Sequence, residues 1–368
     1  MMYSPHWLTR RSVLLGGTAT LGATAISSCS GSSSGYDALA QTIRAPISVG
    51  APFSPSELIR YATLAGNSHN SQPWCFEVEP ARLLIRPDRS RRLPAVDPDD
   101  HHLYCSLGCA AENLAVAASA QGSQATISFD ATADVVVVDL EPAPPRADPW
   151  LSTVTRTQCS RLDYDGRSVS VGNLNSIVRA SKIDGVECRL ITERAAISRI
   201  KPFVLSANSA QIRDKAFVAE LRDWIRLSGR DAMAARDGLA SRTMGNPQLP
   251  RWIGLRAFDF VYTADAENEK IARWIDNSGG LAVFVGPSND PAGWVAAGRS
   301  YQRFALATTA LNIRHAHLNM PVEVPAIRRL FAAHLDLGDA RPDLLIRFGY
   351  GPLAPYSLRR DVRTLIEP

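Results

Sequence analysis

The segment Leu103 to Gln121 is a strongly apolar helix, ended by Gly122, and it sets the frame for the chain. A second long helix is expected at Trp294 to Ile313. A shorter one is expected over Ser54 to Ala65, where Ser54 or Ser56 can cap, Pro55 suits the first turn, and Leu58, Ile59 and Ala62 share a face. Trp74 to Val78 and Arg82 to Arg86 read as strands around Glu79-Pro80-Ala81, and Asp134 to Leu140 reads as a buried strand. Pro142-Ala143-Pro144-Pro145 is the best internal boundary. Beyond it, strands are expected at Val186 to Ile191, Leu281 to Val285 and Asp343 to Phe348. Helix is expected through most of Ile197 to Leu227, with an interruption at Pro202. Residues 237–256, rich in Gly, Pro and Arg, form a candidate lid. Each half carries helix, strand, long apolar helix and strand, so the expected fold class is α+β.

The start of the chain reads as an address. Thr9-Arg10-Arg11-Ser12-Val13-Leu14 opens a short apolar run to Ile26, too short for a permanent membrane helix and typical of a signal peptide. The adjacent arginines resemble a twin-arginine (Tat) signal, with Val13 where Phe is usual. Ile26-Ser27-Ser28-Cys29 resembles a lipobox, which makes Cys29 a candidate lipid anchor, and Ser30 to Gly35 is a flexible tether. Residues 1–29 are therefore assigned to the leader and 30–53 to a linker. Export to the periplasm, or to the outer face of the cytoplasmic membrane, is expected.

The composition narrows the function classes. Hydrophobic residues make up 45% and charged residues 21% of the 368, ordinary values for a globular protein. The net charge of +4 is scattered, with no basic run to suggest a nucleic-acid partner. Six cysteines are too few for a disulfide scaffold. His101, His102, Cys105 and Cys109 have the residue types of metal ligands, but cysteines four apart in an apolar helix are more often small core residues, and no metal is expected.

The sharpest local signal is Gly66-Asn67-Ser68-His69-Asn70-Ser71-Gln72-Pro73-Trp74. It lies between helix and strand and is dense in amide and hydroxyl groups that can bond the edge of a flat heteroaromatic ring. Asn, Ser and Pro are also common turn residues, so by itself the cluster reads equally as a turn.

In order, these residues resemble the N-x-Q-P-W segment of the nitroreductase superfamily, and the surrounding chain resembles its Acg-like branch. Tyr61-Ala62-x-Leu64-Ala65 precedes the segment, and Arg91-Arg92-Leu93-Pro94, Asp97-Pro98-Asp99 and Ser106-x-Gly108-x-Ala110-Ala111-x-Asn113-Leu114 follow it. Asp290-x3-Trp294-x2-Ala297-Gly298, Met320-Pro321-Val322-Glu323, Leu344-Leu345-x-Arg347-x-Gly349-Tyr350-Gly351 and Arg359-Arg360 match further on.

The resemblance implies FMN, a nitroreductase-like fold, and two fused halves, 54–145 and 146–368, forming an intramolecular pseudo-dimer that suffices as a monomer. It implies flavin contacts from Ser68, Asn70, Ser71, Gln72, Pro73, Asn319 and Met320. It also implies phosphate contacts from Arg156, Arg161, Arg359 and Arg360. No catalytic acid or base stands out, as is usual where the cofactor carries the chemistry. The implied activity is an FMN-dependent oxidoreductase acting on a nitroaromatic or quinone-like acceptor, with an unidentified electron donor. The alternative is a non-catalytic flavin-binding protein whose lid covers the ring.

Overall fold

A computed structural model describes residues 34–367. The twin-arginine segment, the apolar run and Cys29 lie outside the described residues. Among those described, no helix is long and apolar enough to cross a membrane.

The chain begins with helix α1 (34–43), then α2 (Pro55–Thr63), strands β1 (Trp74–Glu79) and β2 (Arg82–Pro87), and the long helix α3 (His101–Ala120). Strands β3 (Ser123–Asp130) and β4 (Val135–Pro142) complete an antiparallel sheet in the order β1-β2-β4-β3. Helices α4 (Leu151–Val154) and α5 (Val171–Ala180) lead to β5 (Glu187–Ile191). An insertion follows, with α6 (Arg194–Arg213), α7 (Lys215–Trp224), β6 (Ile225–Arg226), α8 (Gly229–Ala235), β7 (Leu239–Ala240), α9 (Arg251–Val261) and α10 (Ala264–Asp276). The chain then runs through β8 (Gly280–Val285), the long helix α11 (Pro291–Ala310), β9 (Arg314–His317), α12 (Met320–Glu323), α13 (Pro325–His334) and β10 (Leu344–Gly349). The second sheet, also antiparallel, has the order β5-β8-β10-β9.

The two sheets are wired alike. In each, the long helix follows the second strand, and the fourth strand inserts between the second and third. They differ where β1 and β2 are joined by a tight turn while β5 and β8 are separated by the whole α6–α10 insertion. The α+β class is thus observed. Residues 34–43, expected as tether, are instead a helix whose Tyr36 is fully buried and donates its hydroxyl to the Tyr356 carbonyl at 2.7 Å. Helix α6 runs through Pro202 and breaks at Asp214, whose backbone turns extended and whose carboxylate caps α7 at the Ala216 amide (2.8 Å). A proline removes one donor, whereas an extended residue ends the ladder.

Helices α3 and α11 pack against each other at the centre, and both are buried along most of their length. Their approach is set by two glycines. A Cβ on Gly108 would lie 2.1 Å from the Val295 carbonyl oxygen, and one on Gly298 would lie 1.9 Å from that of Cys105. Each glycine therefore faces the residue three positions before the other. One turn on, Arg299 and Arg303 both reach the buried Glu112, at 2.7 and 2.9 Å, and Gln302 donates to Asn113 at 2.8 Å. The main apolar core surrounds this helix pair and reaches both sheets. A second core lies beyond the other sheet face, where α6, α10 and α13 cover β8 and β10, so both strands are buried throughout. β3, by contrast, alternates buried and more exposed positions, as a strand with one open face does. The C-terminus returns to the first sheet: Phe76 bonds Leu365 and Glu367 through backbone, each at 2.8 Å.

Gly108→Ala and Gly298→Ala should each cost about 3 kcal/mol, because the added methyl meets backbone that cannot rotate away. Gly172→Ala in α5, where no atom lies within 4 Å of the new Cβ, should be neutral or slightly stabilising. Denaturant midpoints measure both, and equal effects at all three positions would contradict this packing.

Candidate functional site

Helix α2 ends against the loop Gly66–Pro73, in which His69, Asn70 and Gln72 have φ of 49°, 52° and 54°. Left-handed conformations are costly away from glycine and persist only where surroundings hold them. Here the Gln72 amide donates to Asn67 Oδ1 at 2.9 Å. Asn70 Nδ2 donates to the carbonyls of Gly238 (3.1 Å) and Leu358 (3.2 Å), and Gln72 Nε2 to that of Arg236 (2.9 Å). Arg359 is buried and directs its guanidinium at the carbonyls of Thr63, Leu64 and Ala65, the open end of α2, and at Asn70 Oδ1 at 3.0 Å. Arg360 bonds Gln72 through its own amide at 2.8 Å and lies 3.4 Å from Asp88. Arg91 holds the Ser71 carbonyl and Asp237 together.

Beside this loop lies a cavity of about 410 Å³. Gly66, Asn67, Ser68 and His69 form one edge. Helix α3 contributes His102, Cys105, Ser106 and Cys109, and α11 contributes Tyr301. His317, Asn319, Met320 and Glu323 close the far side, and the α6–α10 insertion supplies an apolar wall including Phe217, Leu221, Phe258 and Trp274. The expected lid contributes Leu239, Ser241, Met244, Asn246, Pro247, Leu249 and Gly254.

Three of the lining histidines have a ring nitrogen without a partner. The Nδ1 atoms of His69, His102 and His317 are buried without a hydrogen bond. All three rings are held neutral: burial, then Arg161, pushes His69 down to about 4, and burial also depresses His102 and His317. A neutral imidazole carries one donor and one acceptor, so each ring can answer either kind of ligand group. Burial raises Glu323 to about 7, against a 2.7 Å bond from Gln211 Nε2 that opposes the rise; its other oxygen is 3.7 Å from His102 Nδ1. Arg161 approaches the Met244 sulfur at 3.3 Å and makes no ion pair among the described residues. Lys270, also on the wall, is paired with Glu267.

Of the residues singled out in the sequence, Ser68, Arg161, Asn319 and Met320 line the cavity. Asn70, Ser71, Gln72 and Pro73 are buried behind it and shape its edge. The expectation of a phosphate clamp at Arg359-Arg360 does not match the side chains, which brace the loop from behind. Arg156 is exposed and turns back to the Ser152 carbonyl at 3.1 Å. Sequence reasoning passed over His317, Tyr301, Asn208 and Gln211, and it carried Glu323 within a family-like segment without giving it a role. The spacing His315-x-His317, which puts both rings on one face of β9 beside Tyr301, was the available signal.

Asp97, His101 and His102 form the one group among the described residues whose ligand atoms, within 4.8 Å of one another, could hold a metal ion. Asp97, however, accepts the amides of His102 and Leu103, both at 3.0 Å, and His101 Nε2 lies 2.9 Å from Asp343. The amino end of α3 also disfavours a cation. Cys109 donates to the Gly298 carbonyl at 3.1 Å.

The elevated Glu323 carboxyl gives a test. Its folded value of about 7 exceeds the ordinary 4.5, so the fold binds a proton that the unfolded chain releases, and stability falls as pH rises through that window. Glu323→Gln removes this dependence. The variant's melting temperature relative to wild type should climb between about pH 4.5 and 7 and then level off. A difference that stays flat with pH would place Glu323 in water.

No family model matches the chain. Two curated relatives, each described as a putative NAD(P)H nitroreductase and each from a strain of Mycobacterium tuberculosis, are 25% identical over 340 residues, covering 88% of this chain and 95% of theirs. Among solved structures, a nitroreductase with bound FMN from Bacteroides fragilis matches at 13% identity and a TM-score of 0.37, over 58% of this chain and 96% of that one. An FMN-dependent nitroreductase from Mycobacterium smegmatis in complex with NADPH matches at 11% and 0.35, over 53% and 84%. The similarity to the two mycobacterial relatives runs nearly the full length of both chains.

Proposed function

We propose that the chain is an FMN-dependent oxidoreductase of the nitroreductase type, with the flavin seated in the cavity beside the Gly66–Pro73 loop. The observation that carries this reading is the cavity itself. It is walled by aromatic and aliphatic side chains, and three of its lining residues are buried, neutral imidazoles with an unpartnered Nδ1. That donor set suits a flat heteroaromatic ring with mixed donor and acceptor edges better than it suits a metal or a charged sugar. Bound FMN supplies two-electron chemistry at its ring.

The chain's own residues do the rest. Asn67, Ser68 and His69 bond one edge and Asn319 and Met320 approach another. Arg161, the cavity's unpaired cation, meets the phosphate. Glu323, whose carboxyl burial raises well above its ordinary range, can hold or release a proton beside His102 Nδ1. Small aromatic acceptors such as nitroaromatics or quinones fit the apolar wall.

We also read the two alike-wired sheets, and the reciprocal Gly108 and Gly298 contacts, as a fused pseudo-dimer in the manner of the Acg-like branch. A monomer then carries one complete site. The leader is read as a Tat signal with Cys29 as lipid anchor, which places the protein outside the cytoplasm, where NAD(P)H is scarce and another donor serves. A second reading, a flavin holder without turnover, draws support from the lid residues that wall the cavity.

Purified protein should absorb at about 450 nm from bound oxidised flavin. A colourless protein after soaking with FMN would sink both readings. Bleaching by a physiological-type reductant favours the enzyme, whereas colour that yields only to dithionite favours the holder. Arg161→Ala should weaken FMN retention roughly 10- to 100-fold, the loss of charge-assisted bonds worth about 1.5–3 kcal/mol, while Arg156→Ala should leave it unchanged.

A further inference from the structure

Helix α9 has two faces with different work. Gly254, Ala257 and Phe258 line the cavity. On its outer side Trp252 is 67% exposed and Phe260 83%, with the exposed Ile253 beside them. Such a cluster on an 11-residue helix is more than scattered surface apolarity. Arg251 and Arg256 are exposed within the same helix and have no ion pair among the described residues. Arg251 also lines a shallow cleft between α7 and α9 with Lys215, Arg222 and Asp223. Val261 is exposed and also lines the cavity, as do Asn246 and Pro247, so the cavity rim reaches the surface beside this patch.

The first described residues pack against the stretch that precedes α9. Asp37 pairs with Arg242 at 2.9 Å, the Arg242 guanidinium sits 4.3 Å over the Tyr36 ring, and Gly35 packs near the Met233 sulfur. Helix α1 is thus fixed to the segment leading into α9. Five residues separate Cys29 from Gly35, six backbone steps that reach at most about 22 Å.

We propose that the outer face of α9 docks on the surface of an anionic phospholipid bilayer. Trp252, Ile253 and Phe260 enter the headgroup boundary, and Arg251 and Arg256 meet lipid phosphates. A helix with aromatic and aliphatic residues on one side and arginines flanking them has the chemistry of an interfacial segment. Docked this way, the cavity rim faces the bilayer, and lipid-soluble ring compounds reach the cavity without crossing water. The inference rests on the reading of Cys29 as a membrane anchor and extends the proposed function by naming the surface at which the site works.

The test uses the full chain added to vesicles of phosphatidylglycerol and phosphatidylcholine carrying a doxyl-labelled lipid. Tryptophan fluorescence is compared between wild type and Trp252→Phe, so that the difference reports Trp252 alone. Docking requires that this difference be strongly quenched by the doxyl lipid, that quenching weaken in Arg251→Ala/Arg256→Ala, and that it fall in pure phosphatidylcholine. Equal quenching of wild type and Trp252→Phe would overturn it, as would burial of Trp252 in a lipid-free dimer seen by sedimentation. Visible absorbance on the same samples separates the two readings. Retained flavin without Trp252 quenching removes the docking alone, and Trp252 quenching without flavin removes the flavoprotein alone.

Discussion

The close approach of α3 and α11 is the contact on which everything else in this molecule hangs. Gly108 and Gly298 let each helix backbone meet the other's carbonyls, and no side chain larger than hydrogen fits at either place. That contact fixes the separation of the two sheets. It also puts His102, Cys105 and Cys109 on one side of the cavity and Tyr301 on another. A shift of even a methyl's width here would move all of them, because packed interiors transmit displacement rather than absorb it.

The second dependence is the strained loop at the cavity edge. Three left-handed residues in four persist because groups from distant parts of the chain hold them: Gly238 and Arg236 from the insertion, and Leu358, Arg359 and Arg360 from the C-terminal segment. The loop is local in sequence but is shaped by non-local contacts. Arg359 illustrates how a charge can serve geometry. Buried among helix-end carbonyls, it satisfies acceptors that α2 would otherwise leave open, and burial lowers its own affinity for a proton to about 9.

The electrostatics of the cavity follow from its dryness. Burial drives the histidines to neutrality and Glu323 toward a shared proton, so the wall offers hydrogen-bonding versatility with little fixed charge. Arg161 is the exception, and its lone positive charge in turn depresses His69 and His317. A ligand with one anionic end and a neutral, polar-edged ring matches that distribution.

The sequence by itself determined the elements and much of their order. The apolar runs 103–121 and 294–313 became α3 and α11, the hairpin at Glu79-Pro80-Ala81 formed, and the valine run became β4, because periodicity and turn chemistry are local properties. The Asn-rich loop, Arg161 and the 239–254 wall were likewise visible as candidates. Tertiary structure alone decided which polar residues face the cavity. Arg359 and Arg360 read as phosphate contacts until the fold buried Arg359 and half-buried Arg360 behind the loop, and Glu323 had no assigned role until α6 brought Gln211 to it. Helix α1, taken for tether, became structure only through Tyr36 and Arg242. In each case the deciding partner lies more than a hundred residues away, and desolvation and pairing at that range leave no pattern in the neighbouring sequence.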